Sequence, residues 1–495
     1  MKKELRNIGR FRKAGYQAID RICDYYYSLE DKPVVAQVEP GYLRKLLPDA
    51  APETGEPFQT IADDFQKQIM PGITHWQHPS FFGYFPTAST LAGTIGDLYA
   101  SSVAGPGFNW LCSPAATELE AITMDWAAKL FGLDEVFMAS SLKGGGVIQP
   151  TASDSCLTAV VAARSRFSKL HPETHLQNLV IYGTTMTHSL GAKAALILGL
   201  SFRALEVSRD DAYGLRGETL QKALREDRAA GKIPFILIAT IGTTSSCAID
   251  NITEIEQAVK EYPELWIHID AAYAGVTLTC PEFREMCHLD AINRFAHSFC
   301  TNFHKWGLVN FEASGMWVRD RTLLTDALDV TPEFLRTKHS EEGTVIDYRN
   351  WQLALGKRFR ALKLWFVLRS YGAEGFRAHI RKGIKQAELF ATRIRESKKF
   401  EIVAPPSFAL VVFRIIGSVN EGSPPPSLAQ LNSLNRIFHQ RVSARPDIFV
   451  IQTDIEGMYC MRFVPGAERT EDKHIEAAVR LFEEEATKAL QEWEA

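Results

Sequence analysis

At 495 residues the chain exceeds what one hydrophobic core usually supports, so two or three domains are expected. A hydrophobic share of 46% and a charged share of 23% are those of an ordinary globular protein, and a formal net charge of -4 leaves no basic face for nucleic acid and no polybasic membrane patch. The eight cysteines are scattered without a CxxC pair or zinc spacing, so no metal site is expected, and the chain shows neither a signal-peptide core nor a membrane-spanning apolar run. A reducing compartment, the cytosol, is the expected location.

In chain order, residues 8–30 and 58–70 repeat their apolar positions at helical spacing. Neither segment could fold alone, so residues 1–89 form a helical arm that packs on the main domain or on a partner subunit. From residue 90 to about 369, short apolar runs alternate with amphipathic stretches such as 218–231 and 252–262, which predicts an α/β domain with a mostly parallel sheet covered on both faces. Ligands of such sheets gather at the carboxyl ends of the strands.

The first chemical signal in that region is SLKGGGVIQPTASDSCLTAVVAAR (141–164), a glycine-rich turn leading to Thr151-Ala152-Ser153 and a helix starting near Asp154. Backbone amides at a helix start and small hydroxyl side chains make a phosphate cradle. The turn is neither a nucleotide P-loop nor GxGxxG, and alone it specifies little. Strand NLVIYG (178–183) is followed by His188, a residue type more often structural than catalytic, and strand FILIATIG (235–242) by Thr243 and Thr244.

Strand LWIHID (265–270) ends in Asp270 and then small residues. That acid fits a helix cap and fits equally a carboxylate facing a cationic ring nitrogen, with Ala272 letting a flat ring approach. Run SFCTNF (298–303) brings Asn302 and then His304, Lys305 and Trp306. Apolar and aromatic neighbours would desolvate the lysine and favour the neutral amine that a carbonyl condensation requires. GMWV (315–318) is a further strand. Beyond about residue 370 the runs 400–405, 408–415, 448–455 and 459–464 and a helix over 471–493 predict a smaller α+β domain, 370–495, with a proline-rich surface loop at 421–427.

Taken together, a cradle, a histidine, a hydroxyl, an acid and an amine follow one another along one sheet. A nicotinamide dehydrogenase would need GxGxxG after its first strand, which is missing. A binding protein that had lost its chemistry would be expected to have lost Lys305 or Asp270, and both remain.

Those residues, with HPSFFGYFPTAST (78–90), GFNWLCSPAATELE (107–120) and DYRNWQLALGKRFRALKLW (347–365), resemble the pyridoxal-phosphate group II decarboxylases of the aromatic L-amino acid decarboxylase and aromatic acetaldehyde synthase type. The resemblance runs from about 8 to 465. It implies pyridoxal-phosphate fold type I (aspartate aminotransferase-like), with pyridoxal 5'-phosphate as cofactor and an aromatic L-amino acid as substrate. It also implies a homodimer with interface active sites, in which Leu355-Gly356 reaches the neighbouring site.

By the same resemblance Lys305 carries the cofactor, Asp270 faces the ring nitrogen, Ala272 lies against the ring and His188 stacks on its other face. Thr151, Ala152, Thr244, Asn302 and His304 contact the phosphate and ring substituents. Trp76, Tyr84, Phe85, Pro86, Thr87, Phe108, His188 and Gly356 meet the substrate. Pro106 stands where relatives often carry an aliphatic residue. In amine-forming relatives a loop tyrosine helps to protonate the substrate α-carbon; in TPEFLRTKHS (331–340) that catalytic position is Phe334. Two outcomes follow. Either Tyr348 or His339 supplies the proton and an arylalkylamine forms, or dioxygen is a co-substrate and the products are arylacetaldehyde, carbon dioxide, ammonia and peroxide.

Overall fold

The computed structural model describes residues 2–417 and 425–494, so residues 421–424 of the proline-rich loop lie outside the described residues. Seven strands build the main sheet: β1 (Gly145–Gln149), β2 (Leu179–Thr184), β3 (Ser201–Leu205), β4 (Ile233–Thr240), β5 (Trp266–Asp270), β6 (Ser298–Asn302) and β7 (Ser314–Val318). Their order is β1-β7-β6-β5-β4-β2-β3. From β6 to β3 the pairings are parallel, whereas β7 runs antiparallel to both β6 and β1. The α/β expectation therefore holds, and β7 supplies the one reversal.

Near-continuous apolar strands are buried on both faces because two cores sandwich the sheet. On β5, Ile267 and Ile269 enter the core shared with helices Pro114–Phe131 and Gly217–Ala229. Trp266, His268 and Asp270 point the other way, toward helix Ala152–Leu170, as the two-residue period of a strand requires.

Two strands escaped the apolar-run reading. The glycine-rich segment is not a turn throughout but contains β1, whose Gly146 is demanded by packing: a Cβ there would lie 2.7 Å from Trp317 Nε1 and 2.8 Å from Met124. Strand β3 is the sheet edge, half solvated, and lacks an apolar run.

A second, antiparallel sheet combines β8 (Phe400–Ile402), β9 (Val411–Ile415), β10 (Ile451–Ile455) and β11 (Met458–Phe463) in the order β10-β11-β9-β8. It packs with helices Leu428–Ser443 and Asp472–Glu494 and with Arg360–Glu396, which is interrupted at Gly372, where φ is 60°. At the other end of the chain, helix Lys2–Tyr27 is followed by the short helix Tyr42–Leu46 and then by Phe58–Asp64, which runs into a wider turn at Phe65–Ile69. Among the described residues no helix is long and apolar enough to cross a membrane.

Candidate active site

Parallel register sets the site. Thr240, the last residue of β4, pairs with Asp270, the last of β5, and Asp270 with Cys300 of β6, whose final residue is Asn302. The ladder continues into the connecting turn, where the Asn302 amide donates to the Ala272 carbonyl at 3.0 Å. The carboxyl ends of three neighbouring strands thus open onto one cavity of about 220 Å³. Thr151, Ala152, His188, Thr244, Asp270, Ala272, Asn302, His304, Lys305 and Phe85 line it, joined by Ser153, Leu190, Thr240, Gly242 and Tyr273. Of that second group Thr240 and Gly242 were legible from the strand-end rule. Leu190 and Tyr273 carried no signal of their own.

One end of the cavity is the start of helix Ala152–Leu170. Thr151 caps that helix: its hydroxyl donates to Asp154 Oδ2 at 2.6 Å and accepts from the Asp154 amide at 3.4 Å. The capping box fixes the first turn, where free amides and the N-terminal dipole favour an anion. His304 has its Nδ1 occupied by the Ala313 amide at 2.8 Å, so its proton sits on Nε2, and burial pushes its pKa down to about 3.

Across the cavity Asp270 is buried. Its Oδ1 accepts from the Ala272 amide at 3.0 Å, and among the described residues no donor reaches Oδ2. Burial lowers the pKa of Lys305 while Asp270 pulls it upward. The lysine nitrogen lies 5.2 Å from the centre of the Phe85 ring. His188 stands at an exposed position with Nδ1 accepting from the Leu190 amide at 3.1 Å, which leaves Nε2 to carry the proton. The Asn302 side-chain oxygen and the Thr240 hydroxyl are buried without partners, groups that a bound ligand would satisfy.

This set of groups fits pyridoxal phosphate. An anion site stands at the helix start, a carboxylate oxygen is free for the ring nitrogen, small Ala272 leaves room for a flat ring, and a partly buried amine lines the same cavity.

The remaining residues expected at the substrate lie outside this lining. Trp76 stacks on Tyr84 at 5.5 Å, and Tyr84 is exposed. Pro86 is buried and Thr87 half-buried beside them, and Phe108 is half-buried. Gly356 is exposed on a knuckle braced by Gln352, whose Nε2 donates to the carbonyls of Ala354 at 2.7 Å and Gly356 at 3.1 Å.

Phe334, 81% exposed, sits on the loop that follows helix Thr322–Leu328. Both arms of that loop are tied to one buried acid. Asp347 accepts from Ser340 Oγ at 2.7 Å and from the Trp110 amide at 3.1 Å, and pairs with Arg349, which donates to Thr331 Oγ1 at 3.2 Å. Tyr348 is fully buried with its hydroxyl donating to the Gly146 carbonyl at 3.2 Å, and His339 is exposed, edge-on to Trp110.

The chain has extensive similarity to known proteins. Residues 40–416 match the pyridoxal-dependent decarboxylase conserved domain. The chain is 42% identical to tryptophan decarboxylase 2 of Oryza sativa subsp. japonica, covering 97% of this chain and 95% of the relative. It is 43% identical to phenylacetaldehyde synthase of Arabidopsis thaliana, covering 97% and 96%. Its fold superimposes with a TM-score of 0.92 and 35% identity on a crystal structure of Oryza sativa TDC with PLP and tryptamine, covering 97% of this chain and 98% of that one.

Proposed function

The chain belongs to the pyridoxal-dependent decarboxylase family, and from that premise we propose that it removes the carboxylate of an aromatic L-amino acid and converts the remainder oxidatively to the arylacetaldehyde. The cofactor is pyridoxal phosphate, which when bound supplies an aldehyde carbon for condensation with amines and a ring that takes up the electron pair freed at the α-carbon.

Lys305 presents an amine whose pKa burial lowers, for attachment and for proton exchange with the incoming amino group. Asp270 would hold a proton on the ring nitrogen through Oδ2, which among the described residues no donor reaches. His188 and Ala272 both line the cavity and would flank the ring. The helix start at Ala152 and Ser153, Thr244 and the Nε2–H of His304 would hold the phosphate. An aromatic side chain is favoured by the Phe85 ring in the wall, and among the described residues no arginine lines the cavity to hold a second carboxylate.

The observation that carries the aldehyde reading is Phe334. It is a hydrocarbon at the exposed tip of a loop that can fold over the substrate, so on closure this position brings no acid to the α-carbon. The buried Tyr348 hydroxyl already donates to a carbonyl, and burial raises its pKa well above the usual phenol range, so it is a poor substitute. With protonation slow, dioxygen takes two electrons. Amino acid, dioxygen and water give arylacetaldehyde, carbon dioxide, ammonia and hydrogen peroxide, one of each.

We further propose a homodimer in which the knuckle at Leu353–Gly356 enters the partner's site. The exposed Leu353 and Leu355 and the exposed Leu91, Leu98 and Tyr99 of helix Leu91–Ser102 support it. Light scattering on the purified chain reads its mass, and a monomer under turnover conditions removes this part of the proposal.

Product analysis with phenylalanine, tyrosine and tryptophan, in air and under nitrogen, tests the reaction. Aldehyde and peroxide in step with carbon dioxide, both stopping without oxygen, are expected. Amine without peroxide would return the enzyme to simple decarboxylation, and preferred turnover of glutamate would sink the aromatic assignment.

A further inference from the structure

Behind Asp270 lies a chain of polar side chains that the reaction above does not use. Trp266, His268 and Asp270 share one face of β5, and the parallel register sets Ser298 opposite His268 and Cys300 opposite Asp270. All five are buried, His268, Ser298 and Cys300 completely. Polar groups at such depth persist only where each finds a partner.

Here the donors and acceptors admit one fully satisfied arrangement. Trp266 Nε1 can only donate, and it donates to Ser298 Oγ at 2.9 Å. Among the described residues Ser298 Oγ has one other hydrogen-bond partner, His268 Nδ1 at 2.8 Å. The hydroxyl therefore donates to Nδ1, since the reverse would leave its proton without an acceptor. Burial holds His268 neutral, with its pKa down to about 4, so its one proton is on Nε2, which points to Cys300 Sγ at 3.6 Å. The Cys300 thiol then donates to Asp270 Oδ1 at 3.9 Å. Burial and Asp270 both raise the thiol pKa, which keeps it a donor.

We propose that Trp266, Ser298, His268 and Cys300 form a one-directional hydrogen-bond relay that fixes the Asp270 carboxylate, with Oδ1 held from behind and Oδ2 presented to the ring nitrogen of pyridoxal phosphate. His268 and Cys300 are positioning residues in this scheme. The scheme rests on the reading of Asp270 given above. Two donors on Oδ1, the Ala272 amide and the Cys300 thiol, restrict rotation of the carboxylate. The aligned dipoles of the relay turn their positive ends toward the carboxylate. No charged group enters the relay, so it adds this polarity without the desolvation cost of a buried cation.

The test has two readouts that do not depend on turnover. The first is the ¹⁵N resonances of His268 in the full chain before cofactor addition, expected to report Nε2–H; an Nδ1–H tautomer would overturn the relay. The second is the affinity and visible absorption of added pyridoxal phosphate in Cys300→Ala, Cys300→Ser and His268→Phe, with Asp270→Asn as reference.

Cys300→Ala and His268→Phe are expected to weaken binding by about three- to tenfold, the effect of one hydrogen bond, and to shift the absorption band in the same sense as Asp270→Asn. Cys300→Ser keeps a donor and an acceptor and should restore both readouts. Parent-like behaviour of Cys300→Ala beside an impaired Asp270→Asn would remove the relay alone. Equal loss in Cys300→Ser and Cys300→Ala would also remove it, because the sulfur would then act by packing. Parent-like behaviour of Asp270→Asn would remove the reading of Asp270 and the relay with it.

Discussion

Lys305 and Phe85 face each other across the cavity, the amine 5.2 Å from the ring centre, and the same ring is stacked 3.7 Å from that of Tyr273. The amine is thus bordered by a fixed aromatic wall and partly desolvated, which is the physical reason for its lowered pKa. Phe85 comes from the segment before the main sheet and Lys305 from the end of β6, so the wall exists only in the folded chain.

Lys305→Ala should lower turnover by roughly a thousandfold or more, the scale on which loss of a positioned nucleophile and proton carrier is felt. The protein should also lose the borohydride-fixable yellow colour. Decarboxylation at the parent rate would show that another amine serves.

Asp270→Asn should retain the fold and slow decarboxylation by about a hundred- to a thousandfold, because a neutral amide no longer favours a proton on the ring nitrogen. The rate of carbon dioxide release at saturating cofactor measures it. A loss of less than about threefold, below the net worth of one hydrogen bond, would take Asp270 out of the chemistry.

Phe334→Tyr should supply a phenolic proton when the loop closes and turn the product toward the amine. The molar ratio of peroxide to carbon dioxide should fall from near parity toward zero while carbon dioxide release persists. An unchanged ratio would mean that loop chemistry does not decide the product.

Lys357 and Glu120 form a buried pair at 3.0 Å, each side chain 3% exposed, and Glu120 also accepts the Ile148 amide of β1 at 2.7 Å. Lys357→Met strands the carboxylate in the interior and should cost about 3–5 kcal/mol in urea unfolding. A cost below about 1 kcal/mol, the level of an exposed pair, would mean that water reaches Glu120.

Acid should destabilise the protein in a definite window. Folded His268 and His304 have pKa values of about 4 and about 3, depressed by burial, whereas unfolded histidine titrates near about 6.5. Below that pH the unfolded chain takes up protons that the folded chain refuses, at about 1.4 kcal/mol per pH unit for each histidine. Asp250, raised by burial to about 6, acts oppositely: the folded state takes its proton first and offsets one histidine. Asp250→Asn should therefore steepen the fall of urea midpoints between pH 6 and 4. A profile parallel to the parent's would show that Asp250 stays ionised there.

The sequence by itself determined the chemistry at the strand ends. Asp270, Asn302, His304 and Lys305 follow apolar runs directly, and an apolar run that stops at an acid or an amine marks a buried strand delivering that group to the sheet edge. The alternation of runs and amphipathic stretches likewise specified an α/β sheet, because burial on both faces imposes a composition that local reading can see. Only the tertiary structure decided the rest. It placed the glycines of β1 inside the sheet, spent the Thr151 hydroxyl on a helix cap and the Tyr348 hydroxyl on the Gly146 carbonyl, and set Trp76, Phe108 and Gly356 outside this chain's own cavity. It also aligned His268 with Ser298 and Asp270 with Cys300. The division has one physical cause. Apolar periodicity records which face of an element is buried, whereas a hydrogen-bond partner is set by inter-strand register between residues about thirty positions apart, and nothing in either local segment records that register.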